Sequence, residues 1–249
     1  MNTLYYRWVE KNSQGLRDSM LKDENHAVKG KDQLTRREEH TIEMIIDMVN
    51  HKTFPRSLLC LQECGQFFLK ELQEQLPKKM QIIFSSKYPR KNQNIVIYDS
   101  DVLKFDEAAS KTVFPFPNSD KGREAMNLVF RRGETTYRVI NVHVPGNPKL
   151  PGTQDLATYL KKAHQEGETT LCLGDMNFNE IEVKEAFDQT LSEYSLISPY
   201  PTNVAPKSFH SKCIDHFFIK GADSIQENAP NSLFPGLADM VKLLSPCDL

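Results

Sequence analysis

No stretch of this 249-residue sequence approaches the ~18–20 consecutive apolar residues of a membrane-spanning helix. The opening MNTLYYRWVEKNSQG lacks the uninterrupted apolar segment of a signal peptide. There is no surplus of charge of either sign. A formal net charge of −2 and a pI near 6.4 argue against a general polyanion binder, whose basic excess would show at this level. Cysteines are few and odd in number: Cys60, Cys64, Cys172, Cys213 and Cys247 imply no disulfide framework. Cys60 and Cys172 sit in apolar runs, where a thiol acts as a small hydrophobe. Cys60 and Cys64 have no second Cys/His pair at zinc-site spacing, so no structural zinc is expected. Internal repeats and low-complexity linkers are lacking too. These absences predict a soluble protein, cytoplasmic or otherwise, with reduced thiols; a monomer is expected.

What is present is enough apolar sequence, 39% against 26% charged, to bury one sizeable core, so a single domain over residues 1–249 is expected. Short apolar runs alternate with helical patterns. TLYYRWV (3–9) reads as a strand, and TIEMIIDMVN (41–50) places Ile42, Ile45, Ile46 and Val49 on one helical face. SLLCL (57–61) reads as a buried strand, and GQFFLKELQEQL (65–76) as a helix with Phe68, Leu69, Leu72 and Leu76 inward. Strands follow at 80–84, 94–98, 126–130 and 137–144, then a helix within 153–167 and a strand at 169–173. A helix at 182–191, a strand at 213–219 and an apolar run at 240–244 complete the series. Two similar α/β halves suggest two sheets packed together with helices outside. Residues 10–40, polar and poor in apolar periodicity, read as a mobile insertion.

Four strand ends deliver metal-binding or proton-handling groups. LLCLQEC ends on Gln62 and Glu63; VINVHVPGN carries His143, with Asn141 before it and Asn147 after it. LCLGDMNFN supplies Asp175 and Asn177, and KCIDHFFIKG sets Asp215 in an apolar strand. A buried carboxylate is costly unless paired or metal-bound, so such an Asp asks for a partner. Each residue alone has an ordinary explanation: Glu63 as an exposed acid at a helix start, His143 as a core histidine, Asp175 as a turn former. Together, on the rim of one layered sheet, hard oxygen ligands and a His suit a Mg²⁺ or Mn²⁺ phosphoester site. Two basic stretches, AVKGKDQLTRREEH (27–40) and SSKYPRKNQN (85–94), read either as solvated loops or as phosphate contacts.

In their order and separation, LQE, NVHVPGN, GDMN and IDHFFI resemble the endonuclease/exonuclease/phosphatase superfamily of deoxyribonuclease-like metal-dependent phosphoesterases, from about residue 41 to the end. The resemblance implies a four-layer α-β-β-α sandwich of two mixed sheets and in-line attack of water on a phosphoester. By the same resemblance Glu63 and Asp239 would hold the Mg²⁺ or Mn²⁺, and His143 would lie against the scissile phosphate. Asp175 and Asn177 would position the attacking water, and Asp215 would orient a catalytic His. Arg7, Asn141, Asn147, Arg90 and Arg123 would contact substrate.

The sequence departs from the family at two places. The family ends on Ser-Asp-His, whereas Ala238, Asp239 and Met240 stand here, and Met cannot move a proton. His216 adjoins Asp215 and should face the opposite way along the strand, which leaves His210 as the stand-in. On the N-terminal strand, Arg7 takes the place of an Asn near the metal and would bind phosphate instead, unless the strand runs longer and Asn12 serves there. Two functions therefore stand open. One is a hydrolase acting on nucleic acid, inositol phosphate or a phospholipid headgroup. The other is an inactive module of the same fold that binds a protein partner. Turnover separates them.

Overall fold

The computed structural model describes residues 34, 36–50, 58–85, 93–113, 124–145, 152–177, 194–196, 203–204, 211–212 and 215–221. The chain order is α1 (Arg36–Asn50), β1 (Leu58–Cys64), α2 (Gln66–Gln75), β2 (Met80–Phe84), β3 (Gln93–Asp99), β4 (Lys104–Val113), β5 (Ala125–Arg132) and β6 (Thr135–His143). It continues with α3 (Gly152–Ala163), β7 (Thr169–Asp175), β8 (Ser195–Leu196), β9 (Asn203–Val204), β10 (Ser211–Lys212) and β11 (Asp215–Lys220). One sheet has three strands in the order β1-β3-β2, and the other six in the order β4-β5-β6-β7-β11-β8; β9 and β10 form a two-stranded ribbon. β6 and β7, joined through α3, pair in parallel, and the other ladders are antiparallel. Among the described residues no helix is long and apolar enough to cross a membrane.

Period-two alternation along the strands explains the layering. On β6, Tyr137 and Val139 belong to a cluster with Val96, Leu103, Phe130, Leu171 and Ile219, which fills the space between the sheets. The intervening Ile140 and Val142 join Leu156, Ala157 and Leu160 of α3 in a second cluster on the outer face. A third cluster sets Ile42, Ile45 and Val49 of α1 and Phe68, Leu69 and Leu72 of α2 against Leu61, Ile95 and Ile97 of the smaller sheet. Three apolar interfaces between four layers make the expected α-β-β-α sandwich.

Several boundaries differ from the sequence expectation. The helix expected over 41–50 begins at Arg36, so the last five residues of the polar 10–40 segment are helical. The strand expected over 169–173 runs on to Asp175, and Gly174 within it stands opposite Val142 on β6 and His216 on β11. β4 has no counterpart in the sequence reading, because KFDEAASKTV is largely exposed and carries no apolar alternation. It lies at the sheet edge, held by pairing with β5 and by an Arg131–Asp106 ion pair of 2.9 Å, and a charged edge resists further strand addition. The strand expected at 3–9, the helix at 182–191, the run at 240–244 and the rest of the 10–40 segment, Leu34 apart, lie outside the described residues.

The outer face of β6 carries one polar network. Arg138 donates from Nε to Glu168 Oε1 at 2.5 Å and from Nη2 to Oε2 at 3.1 Å, while its Nη1 donates to Asn127 Oδ1 at 2.8 Å. Asn127 in turn donates to the Tyr159 hydroxyl of α3 at 2.5 Å. Arg138, Glu168 and Asn127 are all buried, so each charge depends on these partners. Tyr159→Phe removes one of these bonds without opening a cavity. It is expected to cost about 1 kcal/mol in urea unfolding, and no change would show that the hydroxyl does not help to seat α3.

Candidate active site

The rim of the sandwich forms where β1 of the smaller sheet meets β6 and β7 of the larger one. His143, the last residue of β6, is 6% exposed at its side chain. Its Nε2 lies 3.6 Å from Asp175 Oδ2 and 3.9 Å from Glu63 Oε1. The parallel register sets His143 directly opposite Asp175, the last residue of β7. Two carboxylates from different sheets thus converge on one imidazole. Asp175 is 21% exposed and Glu63 48%, so this cluster opens to solvent on the Glu63 side.

The loops beyond the two strands are laced together. Val144 N donates to Asp175 O at 2.8 Å, and Asn177 Nδ2 donates to Val144 O at 2.8 Å. Asn177 N donates to Asp175 Oδ1 at 2.8 Å. Because the Asn177 amide nitrogen is committed to a carbonyl, its Oδ1 is the group left to accept a proton donor. Asn177 has a φ of 56°, a left-handed conformation that Asn tolerates better than most residues.

Glu63 is presented by a break in the β1–β3 ladder. Leu61 pairs with Ile95 and Cys64 with Gln93, so Gln62 and Glu63 together oppose Asn94. This is a bulge, and Glu63 takes a φ of 59° within it. Cys64 Sγ donates to Gln62 O at 3.7 Å, and burial pushes its thiol up to about 12, so it stays protonated as a donor.

Asn141, expected beside substrate, has another place. It is fully buried, donating from Nδ2 to Ile95 O at 2.8 Å and Leu61 O at 3.2 Å and accepting from Gln62 Nε2 at 2.6 Å. All its polar atoms are spent on protein, which corrects the substrate-contact expectation: Asn141 ties the sheets together behind the rim. Gln62 is the partner that the sequence reading gave no role. Both amides occupy positions in phase with apolar residues that face the other sheet, Cys60 on β1 and Val139 on β6. Two polar residues in that phase near strand ends are a signal that they meet.

Residue 215 stands opposite Asp175 in the β7–β11 ladder, which brings its backbone to the same rim. Arg7, Arg90, Arg123, Asn147, Asp239, Met240 and His210 lie outside the described residues. Among the described residues no group of three or more His, Cys, Asp or Glu side chains is arranged to hold a metal ion. Mg²⁺, however, is commonly held by one or two carboxylates with waters and substrate oxygens completing its shell. The half-exposed Glu63 carboxylate, which meets the same imidazole nitrogen as Asp175, fits that requirement.

No protein-family model and no curated protein matches the chain. Solved structures do match it. The mannosyl-6-phosphatase Bt3783 of Bacteroides thetaiotaomicron is 18% identical, with a TM-score of 0.60 over 74% of this chain and 78% of that one. An endonuclease/exonuclease/phosphatase from Bacteroides vulgatus is 14% identical, with a TM-score of 0.58 over 74% and 78%. A D. rerio TDP2 complexed with single strand DNA product is 13% identical, with a TM-score of 0.60 over 79% and 82%. At these identities the likeness is one of fold.

Proposed function

We propose that this chain, whose fold is that of the endonuclease/exonuclease/phosphatase superfamily, is a divalent-metal-dependent phosphoester hydrolase acting by water attack. The observation that carries this reading is the meeting of Glu63, His143 and Asp175, from three strands and both sheets, within 3.9 Å at one rim. Glu63, together with Asp239, would hold Mg²⁺ or Mn²⁺. Bound there, the cation supplies charge that offsets the phosphate oxygens.

The chain's own residues carry the rest. Asp175 accepts a hydrogen bond from one O–H of the attacking water and takes that proton as attack proceeds, while Asn177 Oδ1 accepts a hydrogen bond from the other O–H, so the oxygen lone pair is turned toward phosphorus. His143 Nε2 faces the same space and donates to a phosphate oxygen. Asp215 stands across the ladder from Asp175, where the family's carboxylate orients an imidazole. Arg7, Asn147, Arg90 and Arg123 are the proposed substrate contacts. β3 begins at Gln93, the partner of Cys64, at the Glu63 end of the smaller sheet.

The test is Mg²⁺- and Mn²⁺-dependent hydrolysis over single-stranded RNA, single- and double-stranded DNA, inositol phosphates and a chromogenic phosphodiester, with Asp175→Ala as control. Turnover lost in the control establishes the hydrolase and its substrate class. Cation binding without turnover establishes the inactive binding module instead. Met240→His, which restores the family's terminal imidazole, is expected to raise turnover about tenfold or more, within the ~10²–10⁴-fold that a general acid or base contributes. Unchanged turnover in the folded variant would refute the alignment of the last strand.

A further inference from the structure

We propose that Asn141 is a positioning residue for Glu63, acting through the β1 bulge. The proposal rests on the reading of Glu63 as a cation ligand given above. The bulge lies between Leu61 and Cys64, and it leaves the local ladder irregular where the chain must turn Glu63 toward His143. A left-handed glutamate is costly and persists only where its surroundings hold it. Asn141 supplies that hold from the opposite sheet. Its Nδ2 spans the carbonyls of Leu61 and Ile95, the last regular pair before the bulge, and its Oδ1 receives Gln62 Nε2 from within the bulge.

Asn141 is also two residues before His143 on β6, and so lies on the same face of that strand. One side chain thereby fixes the bulge that carries Glu63 to the strand that carries His143. By this tie the bulge holds Glu63 Oε1 3.9 Å from His143 Nε2. Cys64, donating to Gln62 O, closes the bulge from its other side. Residues that orient a metal ligand through hydrogen bonds commonly change metal affinity by about 10–100-fold when lost.

The experiment is Mn²⁺ binding to the full chain without substrate, read from the electron paramagnetic resonance of free Mn²⁺, with urea unfolding as the check on folding. Asn141→Leu is expected to weaken Mn²⁺ binding about tenfold or more. The Asn141→Leu/Glu63→Gln double variant should bind no more weakly than Glu63→Gln alone, since Asn141 acts only through Glu63. A general loss of structure would not stop at the Glu63→Gln level. Should Asn141→Leu fail to fold, Gln62→Met, which removes a single donor, carries the same comparison. Wild-type Mn²⁺ affinity in a folded Asn141→Leu or Gln62→Met, or losses that multiply in the double variant, overturns the proposal. Should Glu63→Gln itself leave Mn²⁺ binding unchanged, or the wild type bind none, the cation-ligand reading of Glu63 fails first and this inference falls with it.

Discussion

Asp175→Asn is expected to lower Mg²⁺- or Mn²⁺-dependent phosphoester turnover by about three orders of magnitude, to the level of Asp175→Ala, while the protein unfolds in urea close to wild type. The substitution keeps shape and removes charge. Asn retains an oxygen that accepts from Asn177 N, so the turn after β7 keeps its hydrogen bond. What is lost is the second carboxylate oxygen, the one 3.6 Å from His143 Nε2. An amide there does not take a proton from water. The loss should fall on kcat more than on KM, because the water is polarised chiefly in the transition state. A folded Asp175→Asn within about tenfold of wild type would remove Asp175 from the water-positioning role.

The sequence made the layers and the rim legible for one physical reason: both depend on alternation. A run such as TTLCL shows a strand, and the first polar residues beyond it show what that strand presents. His143 and Asp175 were readable in this way, and the parallel register sets them opposite each other. Glu63 was readable as a residue but not as a geometry, since neither the bulge nor its φ of 59° is written in local composition. Asn141 misled because its chemistry suits a ligand as well as it suits two carbonyls, and only the fold shows that Leu61 and Ile95 lie within its reach. β4 escaped because an exposed, charged edge strand has no apolar phase to reveal it. The Arg138–Glu168 pair escaped for a related reason. A charged residue inside a strand announces a partner without naming one, and Glu168 is 30 residues away.

Gly174→Ala tests how tightly the rim depends on its framework. Gly174 has a φ of 142°, and a Cβ placed there would run into Val142 O and lie 3.0 Å from Val142 C. Those atoms belong to β6 one residue before His143, so relief requires β6 and β7 to separate where His143 and Asp175 face each other. Overpacking and the unfavourable φ each cost about 1–3 kcal/mol, which gives an expected destabilisation of roughly 2–6 kcal/mol in urea unfolding. Gly133→Ala is the comparison. Gly133 also has a positive φ, 56°, but nothing lies within 4 Å of the added Cβ. Its substitution should show backbone strain alone, about 1–2 kcal/mol, and no change in turnover. The difference between the two variants isolates the close approach of β7 to Val142. If Gly174→Ala is no more destabilised than Gly133→Ala and turns over as wild type, the two strands can part without disturbing the rim. If it loses both stability and turnover, the spacing of the strands sets the distance between the imidazole and the carboxylate, and the glycine before Asp175 is there to permit it.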